Sequence, residues 1–105
     1  MSHPTNGIDD LVHQRVRLGI LAVLAEADRA DFTHLRETLA LTDGNLSRHL
    51  QALEQAGLVS ISKGFRDRKP RTWVSATRLG RRAFAVEIDT LKALVDRYQT
   101  EQQRG

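Results

Sequence analysis

Three features of this 105-residue sequence predict a mainly α fold with a small β-hairpin. Two short helical patterns meet at a tight joint within residues 31–57. Two runs of β-forming residues then flank a basic loop marked by Gly64 and Pro70, and a heptad-spaced stretch closes the chain. The chain is long enough for one domain with a real core, and too short for two.

The first feature reads DFTHLRETLALTDGNLSRHLQALEQAG. Thr33 is a suitable N-cap for a helix in which Leu35 and Leu39 share a face. Ala40, Leu41 and Thr42 leave room only for an abrupt change of direction. Thr42 or Asp43 caps the second helix, and Gly57 ends it, because a residue without a Cβ takes the left-handed C-cap at low cost. This is the outline of a helix-turn-helix.

In the second helix Leu46, Leu50 and Leu53 form one narrow stripe that must face a core. Opposite lie Gly44, Arg48, Gln51 and Gln55, flanked by Asn45 and Ser47. Arg pairs bidentately with guanine, and Gln or Asn with adenine, so this face suits base edges in a major groove. Gly44 keeps the helix start slim, where a backbone amide can approach a phosphate. Asp43, Gly44, Asn45, Ser47, Arg48 and Gln51 are therefore the candidate reading residues. An ordinary amphipathic helix with a solvated back has the same pattern, and the residues after Gly57 decide between the two.

After Gly57 the run LVSISK predicts one strand and RTWVSA, residues 71–76, a second. The expected link is residues 64–70, with Gly64 and Pro70 stopping the strand ladder. The result is a hairpin with a basic tip, placed directly after a recognition-type helix, which makes it a wing. Lys63, Arg66, Arg68, Lys69 and Arg71 put five cations within nine residues, able to meet a phosphate backbone together. Arg66 or Arg68 suits a narrow minor groove, whose negative potential attracts guanidinium. Phe65 is expected to anchor the hairpin on the domain.

Before this unit, residues 8–27 show a strong helical pattern whose second half is apolar almost all round, as a buried central helix requires. Asp9 and Asp10 are expected in its first turn, and His13 at a surface or interface. Residues 28–30 read as a link and Phe32 as a single-residue β-bridge or core plug. His34 and His49 read as structural or phosphate-facing.

After the hairpin, Thr77 caps a last helix over residues 78–102. Phe84, Ile88, Leu91, Val95 and Tyr98 step by four, three, four and three, a heptad seam. From Thr77 to Tyr98 such a helix spans about 32 Å, more than twice the ~13 Å radius of gyration expected at this length. Its far half outreaches its own domain, so a second copy is the simplest cover for the seam. These five residues are the candidate dimer interface, and residues 101–105 are expected to fray.

The formal net charge is only +3, but its distribution is uneven. Eight of the sixteen basic residues lie between Lys63 and Arg82 beside one acid, Asp67, whereas the remaining positions carry eight basic and twelve acidic residues. A chain so divided meets a polyanion on one side. Thirteen of the sixteen cations are arginine, the residue that grips phosphate in a fork. There is no cysteine, hence no disulfide framework and no thiolate metal site. No apolar run reaches membrane-spanning length and the start lacks a signal-peptide core, so a cytoplasmic protein is expected. No nucleophile–base pair, phosphate-binding glycine loop or paired carboxylates argue for an enzyme, and no cofactor or metal is expected.

The run LSRHLQALEQAGLVSISK, the basic hairpin, and TRLGRRAF opening a long helix resemble the winged-helix transcriptional regulators of the MarR and ArsR type, in a compact single-domain form. The resemblance covers residues 8–98. It implies that Ser47, Arg48 and their neighbours read the major groove, that the wing arginines contact phosphate or minor groove, and that a homodimer acts on an inverted-repeat operator. The expected division is a disordered tail over residues 1–7, a winged helix-turn-helix DNA-binding domain over residues 8–76, and a C-terminal dimerisation helix over residues 77–105 of the same domain. The chain has few residues left for the ligand cleft of larger MarR-type proteins, and it lacks the cysteines of metal-sensing ArsR relatives. The effector is therefore left open. Two alternatives stand beside this reading: a winged helix used for protein interaction or dimerisation, and a cysteine-free metal-responsive regulator using His13 or residues of the last helix.

Overall fold

The computed structural model describes the backbone of residues 4–104 and the side chains of residues 14–104. Helix α1 (Pro4–Ala25) begins four residues earlier than expected. Pro4 stands at the first helical position, where its missing N–H breaks no helical hydrogen bond and its fixed φ suits the turn. Of the tail expected over residues 1–7, residues 4–7 are thus helical and residues 1–3 lie outside the described residues. Asp9 and Asp10 consequently fall beyond the first turn, and the side chain of His13 lies outside the described residues. Ile20, Leu21 and Leu24 are buried, as the apolar second half of α1 demands.

The expected link and bridge are displaced by one or two residues. Strand β1 (Ala30–Asp31) pairs with a later strand, Ala30 opposite Val74 and Asp31 opposite Trp73. Phe32 instead opens α2 (Phe32–Thr38) and is half-buried against the core, so the plug holds and the bridge moves. Asp31, not Thr33, is the N-cap: its Oδ1 accepts from His34 N at 2.7 Å. As the last residue of β1 it already has the extended backbone that a cap needs.

Ala40, with φ of 55°, makes the abrupt turn before α3 (Asp43–Gln55). Thr42 caps α3, its Oγ1 accepting from Asn45 N at 3.1 Å. Leu46, Leu50 and Leu53 are buried on its inner face. Gly57 follows the helix with φ of +77°, the left-handed conformation expected of it.

The hairpin departs most from expectation. Strands β2 (Val59–Arg66) and β3 (Lys69–Ala76) pair along their whole length, from Val59 opposite Ala76 to Arg66 opposite Lys69. Leu58 lies before the ladder, and Gly64 and Pro70 lie within it. Arg66 and Lys69 close a two-residue turn, so the next pair out, Phe65 and Pro70, is a non-hydrogen-bonded one. The N–H that Pro70 lacks would have pointed away from β2, where β1 does not reach, and the ladder tolerates it. Asp67 and Arg68 form the turn with φ of 52° and 69°. The sheet order is β1-β3-β2.

Helix α4 (Arg78–Arg104) carries on past the point where fraying was expected. Arg104 complements the dipole in its last turn, and Thr100 Oγ1 donates to Asp96 O at 2.9 Å. Gly105 lies outside the described residues. The 27 residues of α4 span about 40 Å. Its first part packs on the core through Phe84, and the molecule reaches 59 Å in its longest dimension.

Four elements meet where α4 begins. Thr77 Oγ1 donates to Gly57 O at 2.6 Å and accepts from Gly80 N at 3.0 Å, while Thr77 N donates to Leu58 O at 3.0 Å. A Cβ at Gly80 would overlap the Leu58 carbonyl oxygen. Gly80→Ala is therefore expected to destabilise the fold by roughly 2 kcal/mol or more, because the clash falls on backbone that cannot move aside. Urea denaturation measures it, and an unchanged midpoint would show that the junction yields easily.

Candidate nucleic-acid interface

The sequence places polar side chains opposite the leucine stripe of α3, and burial of that stripe leaves them facing solvent. Gly44, Asn45, Ser47, Arg48, Gln51 and Gln55 are all exposed. Arg48 Nη2 donates to Asn45 Oδ1 at 2.6 Å, one helical turn earlier. Asn45 is itself seated on the Thr42 cap. The guanidinium is thereby held over the first turn rather than left to sweep. Beside Gly44 a Cβ would meet nothing within 4 Å, so the helix start is open.

Asp43 lies in an ion pair the sequence did not disclose. Arg36 Nη1, from α2, reaches Asp43 Oδ1 at 2.8 Å and Nη2 reaches Glu37 Oε1 at 3.7 Å. The hydrogen bond to Asp43, and then its charge, hold the Arg36 proton above its ordinary affinity. The pair ties the two helices of the motif at their exposed joint and neutralises the one acid at the start of α3.

Between α3 and the hairpin lies an open groove of about 530 Å³. Ser47 and Gln51 line one side and Lys63 and Thr72 the other, over a floor of Phe32, Leu50 and Ile61. Two of the six candidate residues of α3 and one of the five candidate wing cations thus border one concave surface. By strand alternation Ile61, Lys63 and Phe65 share the face turned toward α3, opposite Val74, Thr72 and Pro70.

The remaining wing cations divide. Arg68 and Lys69 are exposed at the tip. Arg66 is drawn back, its Nη1 lying 3.7 Å from Asp31 Oδ2. Arg71 is half-buried beside Trp73 on the outer face, and its Nε finds no hydrogen-bond partner. Arg29, which no local sequence pattern singles out, stacks on Trp73 with its guanidinium carbon 3.9 Å from the ring centroid. Phe65, expected to anchor the hairpin, is 71 % exposed. The anchor is Trp73, which lies so closely over Gly64 that a Cβ there would come to 3.1 Å from the ring. Phe65 stands one pleat beyond Lys63, the last residue of β2 that lines the α3 groove.

His34 is exposed and His49 buried against the core side of α3. Among the described residues no group of three or more His, Asp or Glu side chains is placed to hold a metal ion. Among the same residues no helix is long and apolar enough to cross a membrane. On α4 the heptad seam splits. Phe84, expected in an interface, is half-buried and packs against the core of its own chain. Ile88 and Leu91 are more than a third exposed, and Val95 and Tyr98 more than half. Val86 and Leu94, outside the seam, are exposed as well.

The chain matches a family model described as a winged helix DNA-binding domain over residues 16–95. It is similar to an uncharacterised protein of Methanocaldococcus jannaschii, 42 % identical over 69 residues that cover 66 % of this chain and 75 % of that protein. Among solved structures it is similar to a transcriptional regulator homologue from Pyrococcus horikoshii OT3, with a TM-score of 0.72 and 40 % identity over 78 % of this chain and 81 % of that one. A MarR-family transcriptional regulator from Silicibacter pomeroyi aligns with a TM-score of 0.62 and 25 % identity, over 79 % of this chain and 55 % of the other. With the family model spanning most of its length, and a structure of helix-turn-helix, three-stranded sheet and long last helix, the chain belongs to the winged-helix DNA-binding domain family, a family of transcription regulators rather than of enzymes.

Proposed function

We propose that this chain is a sequence-specific, double-stranded DNA-binding transcriptional regulator of the cytoplasm, acting as a homodimer on an inverted-repeat operator. The observation that carries the proposal is the groove whose walls are Ser47 and Gln51 on one side and Lys63 and Thr72 on the other. A duplex seated there meets α3 with its major groove and the hairpin with its backbone at the same time. Asn45, Ser47, Arg48 and Gln51 are the base-reading groups, and Asp43 and Gly44 shape the helix start against the backbone. Lys63, Arg68 and Lys69 supply phosphate contacts, joined by Arg66 and Arg71 once a phosphate competes with Asp31 and reaches the unpartnered Nε. The turn supports the wing's role, since Arg68 holds a φ of 69° where glycine would be at ease.

Dimerisation is proposed through the exposed run of α4: Ile88, Leu91, Val95 and Tyr98, with Leu94 beside them. So much unpartnered apolar surface on a helix that outreaches its own core calls for a second copy. Two reading helices then enter successive major grooves roughly 34 Å apart. A winged helix serving only protein interaction predicts instead little salt-sensitive affinity for any duplex, and the basic tip speaks against it.

Selection from randomised duplex DNA, read for sequence and symmetry, tests the whole proposal; recovery of fragments with no shared motif would sink it. Arg48→Ala is expected to cost about 1–3 kcal/mol on the selected site and little on random DNA. Arg68→Gly is expected to relax the turn by about 1 kcal/mol while weakening all duplexes and flattening the salt dependence. Identical losses on both kinds of DNA for both variants would abolish that division of labour. Gly44→Ala should raise stability by up to ~1 kcal/mol through helix propensity and yet weaken binding, since its Cβ points at open space where a backbone is proposed to lie. A variant that binds as well as wild type removes the close approach. Val95→Asp should convert a dimer to monomers in sedimentation equilibrium, and a wild type already monomeric at tens of micromolar removes the α4 interface.

A further inference from the structure

We infer that Phe65, backed across the ladder by Pro70, is an apolar wedge that enters the minor groove next to the major groove read by α3, and opens a base step there. The inference rests on the DNA-binding reading and deepens it. Phe65 is 71 % exposed on a hairpin that already has its aromatic anchor in Trp73, so packing within the chain does not explain it. Its neighbour across the strands, Pro70, is exposed too, and the two make an apolar spot at the end of the wing.

The surroundings identify the occupant. Lys63 shares the face of the spot, Arg68 stands at the turn beyond it, and Arg66, Lys69 and Arg71 line the other face of the same two-stranded ribbon, with Asp67 the one acid among residues 63–71. A surface that offers an apolar slot between anionic walls fits it, and the minor groove of a duplex is such a surface, with phosphates at its rims and stacked bases within. A second copy of the wing would bring five like charges against five. An anionic membrane also combines charge with apolar depth, but it leaves the polar face of α3 and the groove joining it to Lys63 unused.

Reach and rigidity agree. Lys63 borders the α3 groove, and Phe65 stands one pleat further out on the same face, about 7 Å along the strand. A backbone gripped at Lys63 therefore leaves Phe65 over the adjoining minor groove, about 6 Å wide. The ladder runs through Phe65 and Pro70 to a two-residue turn, so the ring is presented on a paired strand rather than on a loose loop.

The experiment compares wild type, Phe65→Ala and Phe65→Leu on a selected duplex carrying dyes at both ends, with affinity followed across a salt series and duplex bending read by energy transfer. Circular dichroism confirms that each variant is folded, as expected for a change at an exposed ring. Wild type is expected to bend the duplex by at least about 20°. Phe65→Ala should bind about tenfold more weakly, lose the bend and keep the salt slope, because no charge is removed. Phe65→Leu should retain most of both, and flexible TA or CA steps should be enriched under the wing only when residue 65 is a wedge. Equal bending by wild type and Phe65→Ala, or binding by wild type without bending, overturns the wedge and leaves the DNA-binding reading standing. Loss of binding to anionic vesicles in Phe65→Ala, with DNA bending unchanged, also overturns it. A wild type without salt-dependent affinity for any duplex overturns both.

Discussion

The junction of Thr77 with Gly57 and Leu58 sets the geometry of everything else in this protein. The end of α3, the approach to β2, the end of β3 and the start of α4 converge on three hydrogen bonds and one close backbone approach. One threonine side chain caps α4 and grips the carbonyl of Gly57 together. The direction in which the wing leaves α3, and the direction in which α4 leaves the domain, are therefore fixed by the same few atoms. Threonine followed three residues later by glycine makes physical sense here: the first supplies donor and acceptor, and the second the missing Cβ.

Around that junction the polar face of α3 and the hairpin are held together by contacts that lie outside the core. Asp31 caps α2 with one carboxylate oxygen and meets Arg66 of the wing with the other. Arg36 ties α2 to the start of α3 through Asp43. Each is an exposed or partly exposed pair of small intrinsic worth. Their value is positional, since they fix the angle between elements whose burial the apolar core of Ile20, Leu24, Leu35, Leu46 and Val74 has already decided.

Along α4 the core and the proposed dimer interface occupy different stretches of one helix. Apolar residues of α4 change role along its length: Phe84 closes the domain's own core, whereas Val95 and Tyr98 stand in solvent roughly 15 Å or more further along the helix. A single seam of constant spacing runs from the core into solvent, and the crossover falls near Leu91, which lines a groove with Leu18 and Leu21 of α1.

Local patterns carried most of the fold. The stripe of Leu46, Leu50 and Leu53, the caps at Thr42 and Thr77, and the left-handed Gly57 were all legible, because helical period and capping chemistry act over four residues or fewer. The sequence likewise determined which side of α3 is polar and where the positive charge gathers. It did not determine β1, a two-residue strand that exists only because Val74 and Trp73 lie beside it. Nor could it show that Gly64 and Pro70 sit inside the ladder, since a proline is tolerated according to where its missing N–H points, and that depends on the partner strand. The exposure of Phe65, the retreat of Arg66 toward Asp31 and the stacking of Arg29 on Trp73 were decided by tertiary structure alone, because a side chain's surroundings are set by residues that are distant in sequence and adjacent only after folding.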